Sequence, residues 1–557
     1  MSALVQPRLP FPYRVEAPLV QGLLDGLDGK LDWAQAADAA APWVQAVRDK
    51  PAPFWALESL LREYPISSAE GLALMRLAEA LLRVPDAETA IALTADQLGR
   101  AEFDGAGNAG PHKMLASLSA NAIALSKKFL PEGDHPPGLL KRLGAQTVVA
   151  ATVRAIQLLG RQFVLGQSIQ EALGEAHGQR KQQPNLRFSF DMLGEGARSE
   201  ADAKRYLAAY QHALQAIAAG GRAASPQEAD GISIKLSALF SRYEDAQVER
   251  VRAELLPRVR TLIDAAARAN LNLTIDAEES ERLELSLEVF EALADHIAAE
   301  HPQWSGFGLA VQAYQTRALQ VVHEVARIAK ARGLRFMVRL VKGAYWDGEI
   351  KRAQELGLPG YPVFTRKHHT DIAYLACALA LLEHAPHIYP QFATHNAGTI
   401  AAILEMARAL GADFEMQRLH GMGESVYREV LKDASIACRV YAPVGQHRDL
   451  LAYLVRRLLE NGANSSFVHQ LADESVGLEE LLISPLHLSA EPGQPAPAGL
   501  YGAQRANSRG ADLACASMRE PLLAALADTR VPDVEEATPG AAAAAMEALA
   551  TAWPSWQ

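Results

Sequence analysis

The sequence predicts an α/β fold: a distorted (βα)8 barrel preceded by an N-terminal arm and an all-α region. Three observations predict it. Between Arg187 and Gly445 stand eight apolar, β-rich runs, RFSFDML, GISIKLSAL, LNLTIDAEE, GFGLAVQAY, RFMVRLVKGA, IYPQFATHN, FEMQRLHGM and IACRVYAPVG. Segments of helix-like apolar spacing separate them, Val251 to Arg268 and Thr316 to Arg332 among them. Nearly every run ends in polar residues able to do chemistry. Strands buried on both faces and alternating with helices imply parallel βα units, and eight such units suggest closure into a barrel. The active site of a barrel of this kind lies at the C-terminal strand ends.

The elements follow in order along the chain. Residues 1–65 read as an extended arm with short helices, interrupted by Pro7, Pro10, Pro12, Pro18, Pro51 and Pro53. Residues 66–183 read as all-α: Ser67 and Glu70 fit a capping box, and Leu74, Leu77, Ala78 and Leu81 recur at helical spacing. The barrel is expected over 184–480, a loop-rich linker over 481–530, and an Ala-rich helix within 531–557.

Composition narrows the function. The chain has 557 residues, 49% apolar and 21% charged, which is ordinary for a soluble globular protein. Its net charge of −11 argues against a general nucleic-acid-binding surface. No apolar run approaches the ~20 residues of a membrane span, and the N-terminus lacks the layout of a signal peptide. Cys377, Cys438 and Cys515 give neither metal-ligand spacing nor a disulfide framework, so the expectation is a cytoplasmic protein with reduced thiols.

The run ends give the candidate site. Strand one supplies Asp191 and Glu195, strand two Lys235, strand three Asp276, Glu278 and Glu279, and strand four Gln312 and Tyr314. Strand five carries Arg339, Lys342, Tyr345 and Trp346, and strand six Thr394, His395 and Asn396. Leu419 and His420 end strand seven, and Tyr441 belongs to strand eight. Charges inside apolar runs are costly to bury alone, so these groups are expected to meet one another or a ligand. Lys235, flanked by apolar residues, has Asp276 as its obvious partner.

Plain readings compete with these. Gly105, Gly107 and Gly110 spell G-x-G-x-x-G, but no strand precedes them and Pro111 follows, so they read as a loop. In RDLLAYLVRRLLENG, Leu451, Leu454, Val455 and Leu458 form the buried stripe and leave Arg456, Arg457 and Glu460 on the polar face. A surface pair of Arg456 with Glu460 is worth only ~0.3–0.5 kcal/mol. The helix follows strand eight at the rim, however, and two adjacent guanidiniums suit a carboxylate or phosphate clamp. His395 and His420 lack a third ligand, and no metal is expected there.

The motifs FSFDMLGEGA, SIKLSAL, IDAEESERLE, VQAYQTR, RLVKGAYWDGEIKRAQ, GYPVFTRK, YPQFATHNA, LHGMGE, RVYAPVG and AYLVRRLLENGANSSFV resemble the flavin-dependent proline dehydrogenase domain of the bacterial proline utilisation A family. The likeness covers roughly residues 10–515. It implies non-covalent FAD, oxidation of L-proline to Δ1-pyrroline-5-carboxylate, and transfer of electrons to a membrane quinone during peripheral membrane contact. By resemblance, Lys235, Arg456 and Arg457 bind the substrate carboxylate, while Tyr345, Leu419, Tyr441 and Ala344 shape the ring pocket. Asp276 completes the polar floor, and Glu195 pairs with Arg456 as a gate. Arg339 sits near the flavin N5, with Gln312, Lys342, Trp346, Thr394, His395, Asn396 and Glu460 along the cofactor. Arg339, Tyr441 and Asp276 are the expected catalytic set.

Two departures from the family shape the expectation. The chain enters almost at once into LVQPRLPFPYRVEAPLV, without a ribbon-helix-helix module, so no DNA-binding repressor activity is expected. VEEATPGAAAAAMEALATAWPSWQ looks like the opening of an aldehyde dehydrogenase domain cut short. A homodimer is one assembly left open. Two other functions stand beside the flavoenzyme: a barrel hydrolase using Asp276, Glu278 and Glu279, whose three acids on one strand end fit glycosidase chemistry poorly, and a non-catalytic regulator.

Overall fold

A computed structural model describes residues 8–50, 164–446, 467–472, 475–487, 493–530 and 538–553. The capping box at Ser67, the Gly105 loop, and Arg456, Arg457 and Glu460 lie outside these residues. Eight parallel strands close into a barrel in the order β1 to β8. They are β1 Leu186–Met192, β2 Gly231–Ile234, β3 Asn272–Ile275, β4 Phe307–Gln312, β5 Phe336–Val341, β6 Ile388–Ala393, β7 Glu415–Leu419 and β8 Cys438–Val444. Each coincides with one of the eight apolar runs. Closure is made by β1 against β8, with Leu186 opposite Cys438 and Met192 opposite Val444.

Strand side chains alternate between two faces, and here the faces differ in chemistry. Phe188, Phe190, Ile232, Ile234, Leu273, Ile275, Val338, Leu340, Phe392, Met416 and Val440 are buried in one continuous core with the surrounding helices. The alternate positions hold Ser189, Asp191, Ser233, Asn272, Thr274, Arg339, Gln391, Glu415, Gln417 and Arg439, all buried and all polar. This second set fills the barrel interior: Arg339 on β5 reaches Ser189 on β1 and Ser233 on β2, which are not its neighbours in the sheet. Barrel interiors are more often layered with branched aliphatics.

Four surrounding helices matter below: α4 Glu200–Ala219, α5 Leu256–Ala269, α6 Leu283–Glu300 and α7 Ala318–Arg332. α4 opens with the capping box of Ser199 and Asp202, and α5 ends with Asn270 in the left-handed region at φ 57°. After β5 come α8 Trp346–Glu355 and α9 Lys367–Glu383. α10 Ala397–Leu410 follows β6, and α11 Glu424–Val430 follows β7.

The arm is more helical than its prolines suggest. It carries α1 Glu16–Leu27 and α2 Trp33–Asp49, while α3 Ile169–Gln182 leads into β1. Pro18 lies in the first turn of α1, where a missing N–H costs nothing; Pro42 is accommodated inside α2. Val20, Leu23, Leu27, Ala36, Ala40 and Val44 are buried in the barrel's own core. Polar contacts tie the arm to the rim. Thr316 Oγ1 donates to the Pro12 carbonyl (2.8 Å), and Arg14 donates to the Thr316 carbonyl (3.1 Å). Glu16 accepts from Thr365 N (2.8 Å) and Thr365 Oγ1 (2.7 Å), just before α9.

The first compact unit runs to Gly510, past the boundary expected at residue 480. The loop-rich stretch is held by side-chain hydrogen bonds to backbone carbonyls that composition does not reveal. Tyr361 donates to the Pro495 carbonyl (2.7 Å), and Asn507 donates to the carbonyls of Gln354 (2.9 Å) and Pro497 (3.1 Å). The second unit, Ala511–Gln557, contains helices Ala516–Ala527 and Pro539–Ala552. The latter is capped by Thr538 and matches the Ala-rich helix expected there.

At the lower end of the interior, Arg439 and Glu415 are wholly buried and joined through two bonds, Nε to Oε1 at 2.6 Å and Nη2 to Oε2 at 3.0 Å. Arg439 also donates to the carbonyls of Ala229 (2.7 Å) and Gln227 (2.9 Å). Glu415→Ala leaves this guanidinium buried without its counter-charge. The expected loss is about 3–5 kcal/mol of unfolding free energy, read from urea denaturation; a loss under about 1 kcal/mol would show that the pair is not a structural anchor.

Candidate active site

The polar interior ends, at the C-terminal side of the strands, in four charged groups. Lys235 follows β2 directly, and its Nζ donates to Asp191 Oδ1 (2.8 Å) on β1 and to Asp276 Oδ2 (3.2 Å) after β3. Arg339 Nη1 donates to the other oxygen of Asp276, Oδ1, at 2.9 Å. Two cations and two carboxylates thus balance in a space where every side chain is 10% exposed or less.

Neutral groups complete the network. Arg339 donates to Ser233 Oγ (3.0 Å), Ser189 Oγ (3.1 Å) and Gln417 Oε1 (2.7 Å), so each of its three nitrogens is engaged. Gln417 in turn donates to Glu415 Oε1 (2.9 Å), which connects the upper cluster to the lower anchor. Tyr441 OH donates to Asp276 Oδ2 (2.7 Å), and the Arg339 guanidinium lies 5.1 Å from the centre of the Tyr441 ring, within cation–π range. The backbone N–H of Lys235 donates to the hydroxyl of Tyr210 on α4 (3.1 Å), which fixes the turn that aims the lysine inward.

The environment sets the protonation states. Burial alone would pull the Lys235 ammonium down, but the carboxylates of Asp191 and Asp276, with the Tyr441 oxygen beside them, prevail and hold it well above its ordinary value. Burial raises the Asp191 carboxyl, and the nearby Asp276 charge adds to this against the pull of Lys235. Burial, Asp191 and Asp276 together push the Tyr441 phenol far up, so it stays protonated and acts as a donor.

The rim residues expected along a cofactor are present, several with local tasks. Trp346 Nε1 donates to the Phe364 carbonyl (2.8 Å), and Gln312 Nε2 donates to the Glu278 carbonyl (2.8 Å). Lys342 is paired with Asp371, whose second oxygen lies 3.5 Å from Lys367. Asn396 caps α10 through Thr399 N (2.9 Å), and its own N–H donates to Thr394 Oγ1 (3.2 Å). His395 Nε2 accepts from Leu419 N (3.2 Å), fixing the β6 and β7 ends together. Gly343, at φ +141°, lets the rim turn between Lys342 and Ala344; a Cβ there would sit 2.5 Å from the Tyr314 ring. Glu195, Ala344, Tyr345 and Leu419 are half-buried at the same rim. The pairing of Glu195 with Arg456 falls outside the described residues.

The expected Lys235–Asp276 contact is therefore present, but Asp191 is the nearer partner of the lysine. Ser189, Ser233 and Gln417, which hold Arg339, were absent from the candidates. The signal that would have found them is the period-two recurrence of polar residues inside the apolar runs, as in Ser189–Asp191, Ser233–Lys235 and Glu415–Gln417. The hydrolase trio does not offer a free pair of acids. Glu278 accepts from Ser237 N (3.0 Å) and Arg282 (2.8 Å), Glu279 pairs with Arg282 (3.1 Å), and both oxygens of Asp276 are taken.

Fold and site together define a (βα)8-barrel enzyme with a buried, charge-balanced polar floor beneath an aromatic and cationic rim. Residues 174–470 match the family described as proline dehydrogenase, and the chain belongs to that family of oxidoreductases. Residues 56–163 match a second family, described as the DNA-binding domain of proline dehydrogenase. The bifunctional protein PutA of Escherichia coli (strain K12) is 45% identical over 487 residues, covering 82% of this chain and 36% of that protein. Proline dehydrogenase 1 of Bacillus subtilis (strain 168) is 27% identical, covering 56% of this chain and 90% of its own length. Among solved structures, proline utilization A of Bradyrhizobium japonicum (mutant D779Y) superposes with a TM-score of 0.76 at 44% identity, over 100% of this chain and 56% of that one. The chain thus spans little more than a third of the bifunctional relative.

Because the Asp191 carboxyl is raised, the folded chain binds its proton more readily than the unfolded chain does. That contribution favours the fold at acid pH and is lost as pH rises through the folded value. Asp191→Asn should remove it. Urea midpoints of the variant and parent, measured from about pH 4 to about pH 7, should differ in slope with the parent falling relative to the variant; parallel profiles would show that Asp191 titrates normally.

Proposed function

We propose that this chain oxidises L-proline to Δ1-pyrroline-5-carboxylate with non-covalent FAD as the hydride acceptor, the electrons passing on to a quinone. The observation that carries the reading is the Lys235–Asp191–Asp276–Arg339–Tyr441 network at the catalytic end of a barrel whose family is proline dehydrogenase.

The residue chemistry fits a flavin. A cation buried at the floor, Arg339, favours the anionic reduced ring, and the Lys342, Lys367 and Arg366 cluster at the rim suits a diphosphate. FAD, when bound, supplies a two-electron acceptor for hydride. The protein contributes placement. Lys235, Arg456 and Arg457 clamp the substrate carboxylate, and Glu195 closes over it by pairing with Arg456. Tyr345, Leu419, Ala344 and Tyr441 wall the ring, and Asp276 fixes the directions of Lys235, Arg339 and Tyr441. Holding C5 at one distance and angle is where such a site gains most of its rate. The C5–H electron pair leaves as hydride while the nitrogen lone pair forms the C=N bond. Among the described floor residues, Tyr441 is held protonated and both oxygens of Asp276 accept hydrogen bonds, and we propose that the amine proton is lost to water before transfer.

Among the described residues no helix is long and apolar enough to cross a membrane, so we propose that a quinone is met by peripheral contact. We further propose no nucleic-acid partner. The stretch 56–163 carries as many acidic as basic side chains, and the whole chain is at −11. Retention on DNA that falls steeply with salt would overturn that reading.

An ultraviolet–visible spectrum of the purified chain, repeated after anaerobic addition of L-proline, tests the main proposal. A flavin spectrum bleached by proline is expected. Flavin that stays oxidised counts against the substrate, and a colourless chain after reconstitution with FAD counts against the cofactor. In Arg456→Met, flavin should remain bound while the proline concentration for half-bleaching rises by about 10- to 100-fold, the cost of one lost charge-assisted contact. Loss of flavin instead would assign Arg456 to the cofactor.

A further inference from the structure

On the outer helical layer, α5 and α6 bring three potential metal ligands together. Asp264 belongs to α5, His296 to the last turns of α6, and His301 is the residue that ends α6. Nε2 of each imidazole lies 2.8 Å from the same atom, Oδ1 of Asp264. The three ligand atoms all fall within 4.8 Å of one another. The two rings meet edge to face, at 6.0 Å and 79°, so both nitrogens aim at a shared point. The side chains are 18%, 20% and 31% exposed, which lets a small ion reach them from solvent without opening the fold. Burial pushes the Asp264 carboxyl up, but hydrogen bonds from His296 and His301 outweigh it and leave the acid below its ordinary value. The carboxylate is thus an anion at neutral pH.

We propose that Asp264, His296 and His301 form a binding site for one divalent cation of the zinc type, held by two imidazole nitrogens and one carboxylate oxygen, with water completing the shell. Imidazole donors favour zinc, copper and nickel over magnesium and calcium, and zinc readily takes three protein ligands and one water. Metal–ligand bonds of about 2.0–2.1 Å in a tetrahedron hold the ligand atoms roughly 3.3 Å apart. Each imidazole–carboxylate pair, now at 2.8 Å, would open by about half an ångström, and the two imidazole nitrogens, within 4.8 Å of one another, would settle to the same spacing. On binding, each imidazole gives up the Nε2 proton it donates to Asp264, carries its proton on Nδ1 instead, and offers the Nε2 lone pair to the ion. No spacing rule finds such a site, because Asp264 lies 32 residues from His296 and on another helix.

The site lies at the end of the barrel opposite the mouth. Asn270 and Leu271 connect the C-terminal end of α5 straight into β3, and His301 begins the short link from α6 to β4. A bound ion would staple α5 to α6 at the face where barrels store stability rather than catalysis. It is expected to raise the unfolding temperature and leave turnover unchanged.

The chelator-treated full chain should be titrated with Zn2+ by calorimetry and with Co2+ by visible absorption. One equivalent of each, ligand-field bands of a four- or five-coordinate Co2+, and a higher unfolding temperature are expected. His296→Gln should weaken uptake by more than about 100-fold, beyond what loss of a mere supporting group costs. His301→Gln, at a helix end where folding tolerates change, should do the same. A His323→Gln/His384→Gln variant, which breaks an imidazole pair elsewhere on the barrel (3.1 Å), should bind as the parent does. Absence of a bound equivalent, or uptake unchanged in both His296→Gln and His301→Gln, would overturn the site and leave a hydrogen-bonded acid–imidazole cluster.

Discussion

The requirement that two buried cations be neutralised and fully hydrogen-bonded organises the interior of this barrel. Arg339 and Lys235 share Asp276, Asp191 takes the second contact of the lysine, and Ser189, Ser233 and Gln417 accept from the arginine's three nitrogens. These groups come from β1, β2, β3, β5 and β7, so the network forms only when the barrel has closed. An ion of this kind left unpaired would cost several kcal/mol. The charge balance therefore acts on register: a slip of one residue in any of these strands would point a charge into the aliphatic outer core.

That constraint also explains why the site is rigid at its floor and varied at its rim. Asp191, Arg339 and Tyr441 sit within strands and Lys235 and Asp276 one residue past strand ends, so backbone bonding fixes the floor. Lys342, Trp346, Thr394, His395 and Asn396 lie beyond the strand ends, where local contacts hold them. The N-terminal arm supports this rim from outside, through Pro12, Arg14 and Glu16 on the loops before α7 and α9. A segment that reads as a Pro-punctuated arm is thereby part of the structural frame at the C-terminal ends of the strands, and its helices bury aliphatic residues in the barrel's own core.

Opposite ends of the barrel use buried polarity differently. At the bottom, Arg439 and Glu415 satisfy one another and backbone carbonyls, and nothing there is open to a substrate. At the mouth, the same kind of pairing is completed by groups on helices and loops. Gln417 joins the two, donating to Glu415 and accepting from Arg339. The polar column thus runs the height of the barrel, from the Arg439–Glu415 pair through Gln417 to the cluster around Arg339.

The sequence by itself determined the eight strands and their parallel order. Strand runs such as GISIKLSAL and RFMVRLVKGA are local, strongly apolar and separated by clear helical periods, so pattern alone identifies them. It also singled out Lys235, Asp276, Arg339 and Tyr441, because charged or hydroxylated residues within apolar runs are costly unless they are used. Only the tertiary structure decided their partners. Asp191 precedes Lys235 by 44 positions, and Ser189 precedes Arg339 by 150; closing the barrel brings them within bonding distance, and no local spacing encodes that. The same holds for the arm, whose helices are stabilised by surfaces hundreds of residues away. It holds too for Asp264 and His296, on helices that become neighbours only when the βα units wind around the sheet. Local patterns report what a segment can be, whereas pairing depends on closure, a property of the whole chain.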